Sequence, residues 1–138
     1  GEPLEFSFDD RLFAVEVEST ADEITEWPYV RLQRRLETML LQDKVKASGL
    51  VIVNGKRNMQ PGRRKPEFTE TLRIACDNYG YGLMTGDTLF TLIQRILASE
   101  NADEVAPLRQ RVLGTKGLLT TESALGEGEE EQASGQIF

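Results

Sequence analysis

The chain has no histidine, a single cysteine and no apolar run approaching the roughly 18 residues that a membrane-spanning helix requires. The first absence removes imidazole general bases, Ser-His and Cys-His nucleophile systems, and His-ligated zinc. The second excludes an internal disulfide. Cys76 falls among the apolar positions of a helical stretch and reads as a small core residue rather than a nucleophile. No Walker-type phosphate loop is present, and Gly80-Tyr81-Gly82 is too sparse for a dinucleotide site. No secretory leader precedes the first strand, so the cytosol is the expected compartment and no membrane partner is expected. The chain opens at Gly1-Glu2-Pro3-Leu4 without Met, which suggests a piece of a longer protein.

What is present suits one globular domain. Of 138 residues, 39% are hydrophobic, enough for a single sizeable core. The net charge of −7 is unevenly spread. Residues 1–30 carry a net −8, residues 31–73 a net +7, residues 74–121 a net −1 and residues 122–138 a net −5. An acidic beginning followed by a basic middle either neutralises itself across one surface or marks two functional surfaces.

Leu4, Phe6 and Phe8 alternate with Glu5 and Ser7, and Asp9-Asp10 is turn chemistry. A second strand, Leu12 to Ser19, alternates Phe13, Val15 and Val17 with Ala14, Glu16 and Glu18. A two-residue turn pairs Phe6 with Phe13 and Leu4 with Val15, and this register places Glu5, Glu16 and Glu18 together on the opposite face. Ser19 to Asp22 offers helix caps, and Pro28 suits an early helical position. From Tyr29 to Lys44, Tyr29, Leu32, Leu36, Met39 and Leu40 form a stripe, with Gln33 on its border and Arg31, Arg34 and Arg35 away from it.

Gly49 to Gly55 reads as a buried strand, and Lys56 to Pro66 as a basic loop. A helix follows over Glu67 to Asn78, then a strand over Tyr81 to Thr85. Asp87 caps a helix carrying Leu89, Phe90, Ile93, Ile96 and Leu97, and a last helix covers Asp103 to Leu113. The expected fold is α/β, a mixed central sheet with an antiparallel N-terminal hairpin, flanked by helices. It occupies residues 1–121, with an acidic tail at 122–138 that reads as disordered from Gly126 onward.

Three carboxylates on one hairpin face repel unless they are solvated, one is protonated, or a cation lies between them. Hard divalent ions favour such an oxygen-rich setting and can activate water beside a phosphoryl oxygen. The wet face of an edge hairpin is the plainer explanation. Arg31, Arg34, Arg35, Arg57, Arg63, Arg64 and Lys65 could follow a phosphate backbone nearby. A solvated helix face plus a charged loop explains them equally well.

The succession Phe-Ala-Val-Glu-Val-Glu-Ser, then Val-Arg-Leu-Gln-Arg-Arg-Leu, then Lys-Ala-Ser-Gly-Leu-Val-Ile-Val-Asn-Gly resembles the restriction-endonuclease-like, PD-(D/E)xK nuclease superfamily. Pro-Gly-Arg-Arg, Phe68 and Gly-Leu-Met-Thr-Gly-Asp-Thr-Leu-Phe extend the resemblance over roughly residues 4–113. In that family an acid on one strand and the Glu-x-Lys of the next bind Mg²⁺ and position the attacking water. The resemblance implies a metal-dependent nuclease, with Mg²⁺ or Mn²⁺ held by Glu5, Glu16 and Glu18 and with Gln33 in support. Asp9 and Asp10 rank behind Glu5 because they sit in the turn. The implied partner is nucleic acid, DNA foremost, with a homodimer or other domains of a longer chain left open.

The sequence departs from the motif at Glu18, which stands where the family has Lys. Glu18 is then an extra metal ligand, or Arg31, Arg34 or Lys56 supplies the lost charge, or the site is degenerate. Degeneracy implies a catalytically inactive nuclease-fold domain serving as a binding or assembly module. A regulatory α/β domain unrelated to nucleic acid is the third reading.

Overall fold

A computed structural model describes residues 4–8, 10–99 and 102–126. Strands β1 (Leu4–Phe8) and β2 (Arg11–Ser19) form an antiparallel hairpin with Leu4 opposite Val15 and Phe6 opposite Phe13, the register expected from the alternation. Asp10 takes the turn with φ of 62°, a left-handed conformation that Asp tolerates. The Phe6 and Phe13 rings stack at 5.0 Å across the pair.

Helix α1 spans Trp27–Gln42 with Pro28 in its first turn, where a missing N–H is harmless. Glu26 occupies its N-cap without a side-chain hydrogen bond, so the expected caps at Ser19 to Asp22 go unused. Leu32 and Met39 are buried and Tyr29 and Leu36 pack beside them, whereas Leu40 turns outward. Each fully buried leucine of this kind contributes about 1.5–3 kcal/mol of apolar burial.

Strand β3 (Ser48–Asn54) lies parallel to β2 with Glu16 beside Val51 and Glu18 beside Val53. Helix α2 (Glu70–Tyr79) starts three residues later than the apolar spacing indicates, because the Thr69 side chain accepts from the Leu72 N–H and so caps it. Gly80, at φ of 74°, closes it. Strand β4 (Gly82–Thr85) runs directly into α3 (Gly86–Ala98), capped by Thr85 rather than by Asp87. Helix α4 (Ala102–Gly114), the two-residue strand β5 (Gly117–Leu118) and α5 (Thr121–Leu125) follow. Ala124 of α5 is fully buried, so the ordered fold reaches into the stretch expected to be tail. The stretch expected to be disordered falls, beyond Gly126, outside the described residues.

The fold is thus a mixed α/β one: a five-stranded sheet in the order β1-β2-β3-β4-β5, antiparallel only at the hairpin, with helices on both faces. α1 and α2 cover one face, around Ala14, Leu32, Val51, Leu72 and Leu83. α3, α4 and α5 cover the other, around Val15, Leu50, Met84, Leu92 and Leu108. Successive parallel strands step in one direction, so moving the connection from the first face to the second reverses the hand of the β4-to-β5 crossover relative to the two before it. Among the described residues no helix is long and apolar enough to cross a membrane.

The two faces of the hairpin differ from the simplest reading of their alternation. Leu4, Phe6 and Val17 on the apolar face remain substantially exposed, whereas α1 lies over the face that carries the carboxylates. Ala14 there is completely buried. Apolar and polar sides of the hairpin are therefore not simply inside and outside. On α3, likewise, Leu92 faces the core, while Phe90, Ile93 and Leu97 are exposed.

Candidate functional site: an acidic strand under an arginine helix

Glu16 and Glu18 are two apart on β2, so strand alternation points both toward α1. The Glu16 side chain is only 11% exposed and that of Glu18 27%, so neither charge is left to bulk water. Their counter-charge comes from the second turn of α1. The Arg31 Nε donates to Glu16 Oε2 at 3.3 Å, and its Nη2 donates to Glu18 Oε2. One guanidinium bridges two carboxylates, using its fixed donor fork on both at once. Partial burial opposes the Arg31 charge, but the bonds to Glu18 and then Glu16 outweigh it and hold the guanidinium above its ordinary pKa.

Arg35, one helical turn on, faces the same way. It donates to the Val15 carbonyl at 3.1 Å and to the Leu4 carbonyl at 2.6 Å, and it pairs with Glu5 at 3.2 Å. It therefore staples the edge strand to the helix through backbone carbonyls of both hairpin strands. Glu5 shares the face of Glu16 and Glu18, as the register requires, but it is tied to a different arginine. Among the described residues, no three of Asp, Glu, Cys or His are grouped so as to hold a metal ion. Glu16 and Glu18 are both engaged by Arg31, and Glu5 by Arg35.

Gln33 does not join this group. At 3.6 residues per turn it lies about 200° around the helix from Arg31, on the other flank of buried Leu32. Arg57 and Arg64 also turn inward upon the loop. Arg57 donates to the Ser19 carbonyl at 3.1 Å. Arg64 donates to Asn54 Oδ1 at 2.8 Å, to the Met59 carbonyl at 2.9 Å and to the Arg57 carbonyl at 3.2 Å. Asn54 in turn donates to Ser19 Oγ at 3.3 Å, so this network ties the carboxyl ends of β2 and β3 together. Of the six arginines expected to face phosphate, Arg34 and Arg63 are exposed, and their side chains make no hydrogen bond or ion pair among the described residues. Asp9, the weaker alternative for the first acid, lies outside the described residues, and Asp10 occupies the turn.

Beside the acidic pair, at the carboxyl end of β2, a cleft of about 150 Å³ is bounded by Glu18, Glu23, Trp27 and Arg31. Trp27 is 60% exposed at its rim. The spacing of apolar residues did not anticipate Glu67, which lies outside α2, is 8% exposed, and keeps Oε1 without a hydrogen-bond partner. Its signal was Thr69: a Thr three residues before Leu72 marks the helix start and leaves Glu67 in the preceding loop. Comparison with known proteins yields no matching family model, no matching curated protein and no matching solved structure.

Proposed function

We propose that this chain is a domain of restriction-endonuclease-like fold that does not cut nucleic acid and serves as a binding or assembly module of a larger protein. The observation that carries the reading is the Arg31 bridge. In the motif that β2 resembles, a lysine lies next to carboxylates that hold a cation. Here Glu18 replaces that lysine, and a guanidinium from α1 sits on both carboxylates instead. The arrangement gives the acidic strand a structural role, locking α1 onto the hairpin, and leaves neither carboxylate free as a base or ligand. The arginines follow the same pattern: Arg35, Arg57 and Arg64 spend their donors on backbone carbonyls and neighbouring side chains. A phosphate-tracking surface needs those donors outward.

The test is cleavage of single- and double-stranded DNA and RNA in Mg²⁺ or Mn²⁺, with Glu16→Ala as the control. No cleavage above that control is the expected result. Metal-dependent cleavage abolished by Glu16→Ala would overturn the reading and restore Glu16 as a catalytic ligand, with Arg31 supplying the positive charge that the motif lysine normally provides.

A further inference from the structure

A cavity of about 660 Å³ opens at the carboxyl ends of β4 and β5, between the loop before α2 and the first turns of α3 and α5. That size falls within the range of small-molecule sites, and the carboxyl edge of a parallel sheet is where such sites gather. Glu67 lines it while more than nine-tenths buried, with Oε1 bonded to nothing. A buried acceptor without a partner is costly, so something must offset it or use it. Asp87, on the first turn of α3, lines the same cavity.

The charges around the cavity favour a cation. Arg73 is paired with Glu70, and the Arg64 guanidinium is held by Asn54 and two carbonyls. That leaves Lys65 as the unpaired base of the lining beside Glu67, Asp87 and Glu122, with Arg64 also acting on Glu67 from outside it. Phe68, Pro66 and Leu119 supply an apolar wall, and Thr85, Thr88 and Thr121 are joined by hydroxyl hydrogen bonds of 3.2 Å at its floor. Burial raises the Glu67 pKa, Arg64 works against this, and Asp87 adds to it, while a hydrogen bond from the Gly55 N–H favours the charged form. A carboxylate that already accepts from the Gly55 N–H suits a compact ammonium better than the two-pronged fork of a guanidinium.

We infer that this cavity binds a primary ammonium carried on a short alkyl stem, with the Glu67 carboxylate accepting from the ammonium, Asp87 adding charge and Phe68 and Leu119 packing against the stem. The same chemistry comes from a free alkylamine or from a lysine side chain of a partner. The site uses neither Glu16 nor Glu18, so it stands apart from the reading of β2.

Two probes test it by amide chemical-shift titration of the whole chain: n-butylammonium for the free amine, and Nα-acetyl-lysine methylamide for the side chain. Saturable shifts centred on Phe68, Thr88 and Thr121 are expected, and the tighter probe identifies the source. Glu67→Gln keeps the shape and weakens binding roughly tenfold or more, the loss expected for a hydrogen bond to a charged group. Asp87→Asn weakens it as well and serves if Glu67→Gln fails to fold. The absence of saturable shifts with both probes overturns the inference, as does unchanged affinity in folded Glu67→Gln. So does saturation of the same amides by Mg²⁺ alone without any response to the amines.

Discussion

Replacing Arg31 by Met keeps most of the aliphatic stem and deletes the guanidinium, leaving Glu16 and Glu18 facing each other on one strand without their cation. The magnitude follows from exposure. A fully exposed ion pair contributes about 0.2–1 kcal/mol, whereas breaking a buried one costs about 3–5 kcal/mol. Here the arginine side chain is 42% exposed but its carboxylates only 11% and 27%, which places the bridge between those limits. Two contacts of intermediate strength give a loss of about 2 kcal/mol. For a domain of this size that lowers Tm by roughly 6–10 °C. Urea unfolding of the wild type, Arg31→Met, Glu16→Gln and the double variant forms a cycle, and a coupling of about 1 kcal/mol or more is expected between the two positions. Added Mg²⁺ is expected to raise the Tm of Arg31→Met and leave the wild type unchanged, because only the variant has carboxylates to offer. A loss below about 0.5 kcal/mol with no coupling, or equal Mg²⁺ stabilisation of both proteins, would refute the claim that Arg31 holds this pair.

Gly55→Ala would place a Cβ 1.9 Å from the Glu67 carbonyl oxygen, a backbone clash expected to cost about 3 kcal/mol. Gly62→Ala, which meets nothing within 4 Å, is expected to change stability by under about 0.5 kcal/mol in the same denaturant assay. Cys76 is fully buried and its thiol is pushed up to about 12, so a thiol-reactive dye should label it only as the chain unfolds. The Glu67 carboxyl is held above its ordinary value of 4.5 by burial and Asp87, with Arg64 and Lys65 opposing. Protonation therefore favours the folded state: this contribution is fully present below 4.5 and is lost as pH rises through the raised folded value. The stability difference between wild type and Glu67→Gln should follow that window, measured by denaturation at a series of pH values. With only Arg34 and Arg63 among the six arginines left unbonded, the salt dependence of duplex DNA binding, followed by fluorescence anisotropy, should have a log–log slope near −2 rather than the roughly −5 of six phosphate contacts.

The hairpin was legible because its information is local: a period of two on each side of a two-residue turn fixes the register of Phe6 with Phe13 and puts three carboxylates on one face. α1 was legible for the same reason, with Pro28 and the spacing of Leu32, Leu36 and Met39 in agreement. The pairing of β2 with β3 and of β4 with β5 is non-local, and β5 has only two residues, too few for any periodicity. The roles of the arginines were hidden for another reason. Arg31 and Arg35 lie off the apolar stripe, which in isolation implies solvent, but their long stems let them reach over the helix edge to β1 and β2. The order of the residues reports that a charge is present. It does not report which carbonyl that charge will find.

The shortness of β5 bears on how the cavity beside it can fill. Its pairing with β4 covers Gly117 and Leu118, and the Gly117 N–H to the Tyr81 carbonyl and the Leu119 N–H to the Leu83 carbonyl, each 2.8 Å, bracket it. α5 beyond it is a short capped helix, tied to α4 by the Arg111 bond to the Ala124 carbonyl at 2.6 Å and to α3 by the Thr121 hydroxyl on Thr88 at 3.2 Å. A two-residue strand and a five-residue helix at the end of the sheet open at a fraction of the global free energy, whereas the hairpin and α1 are fastened by longer strand pairing and two arginine staples. Thr120, Thr121 and Glu122, which wall the cavity, lie on this loosely held end. Hydrogen exchange should divide the domain accordingly, with a slow hairpin half and a fast β5–α5 hem. A ligand could then enter by lifting the hem while the rest of the sheet stays closed.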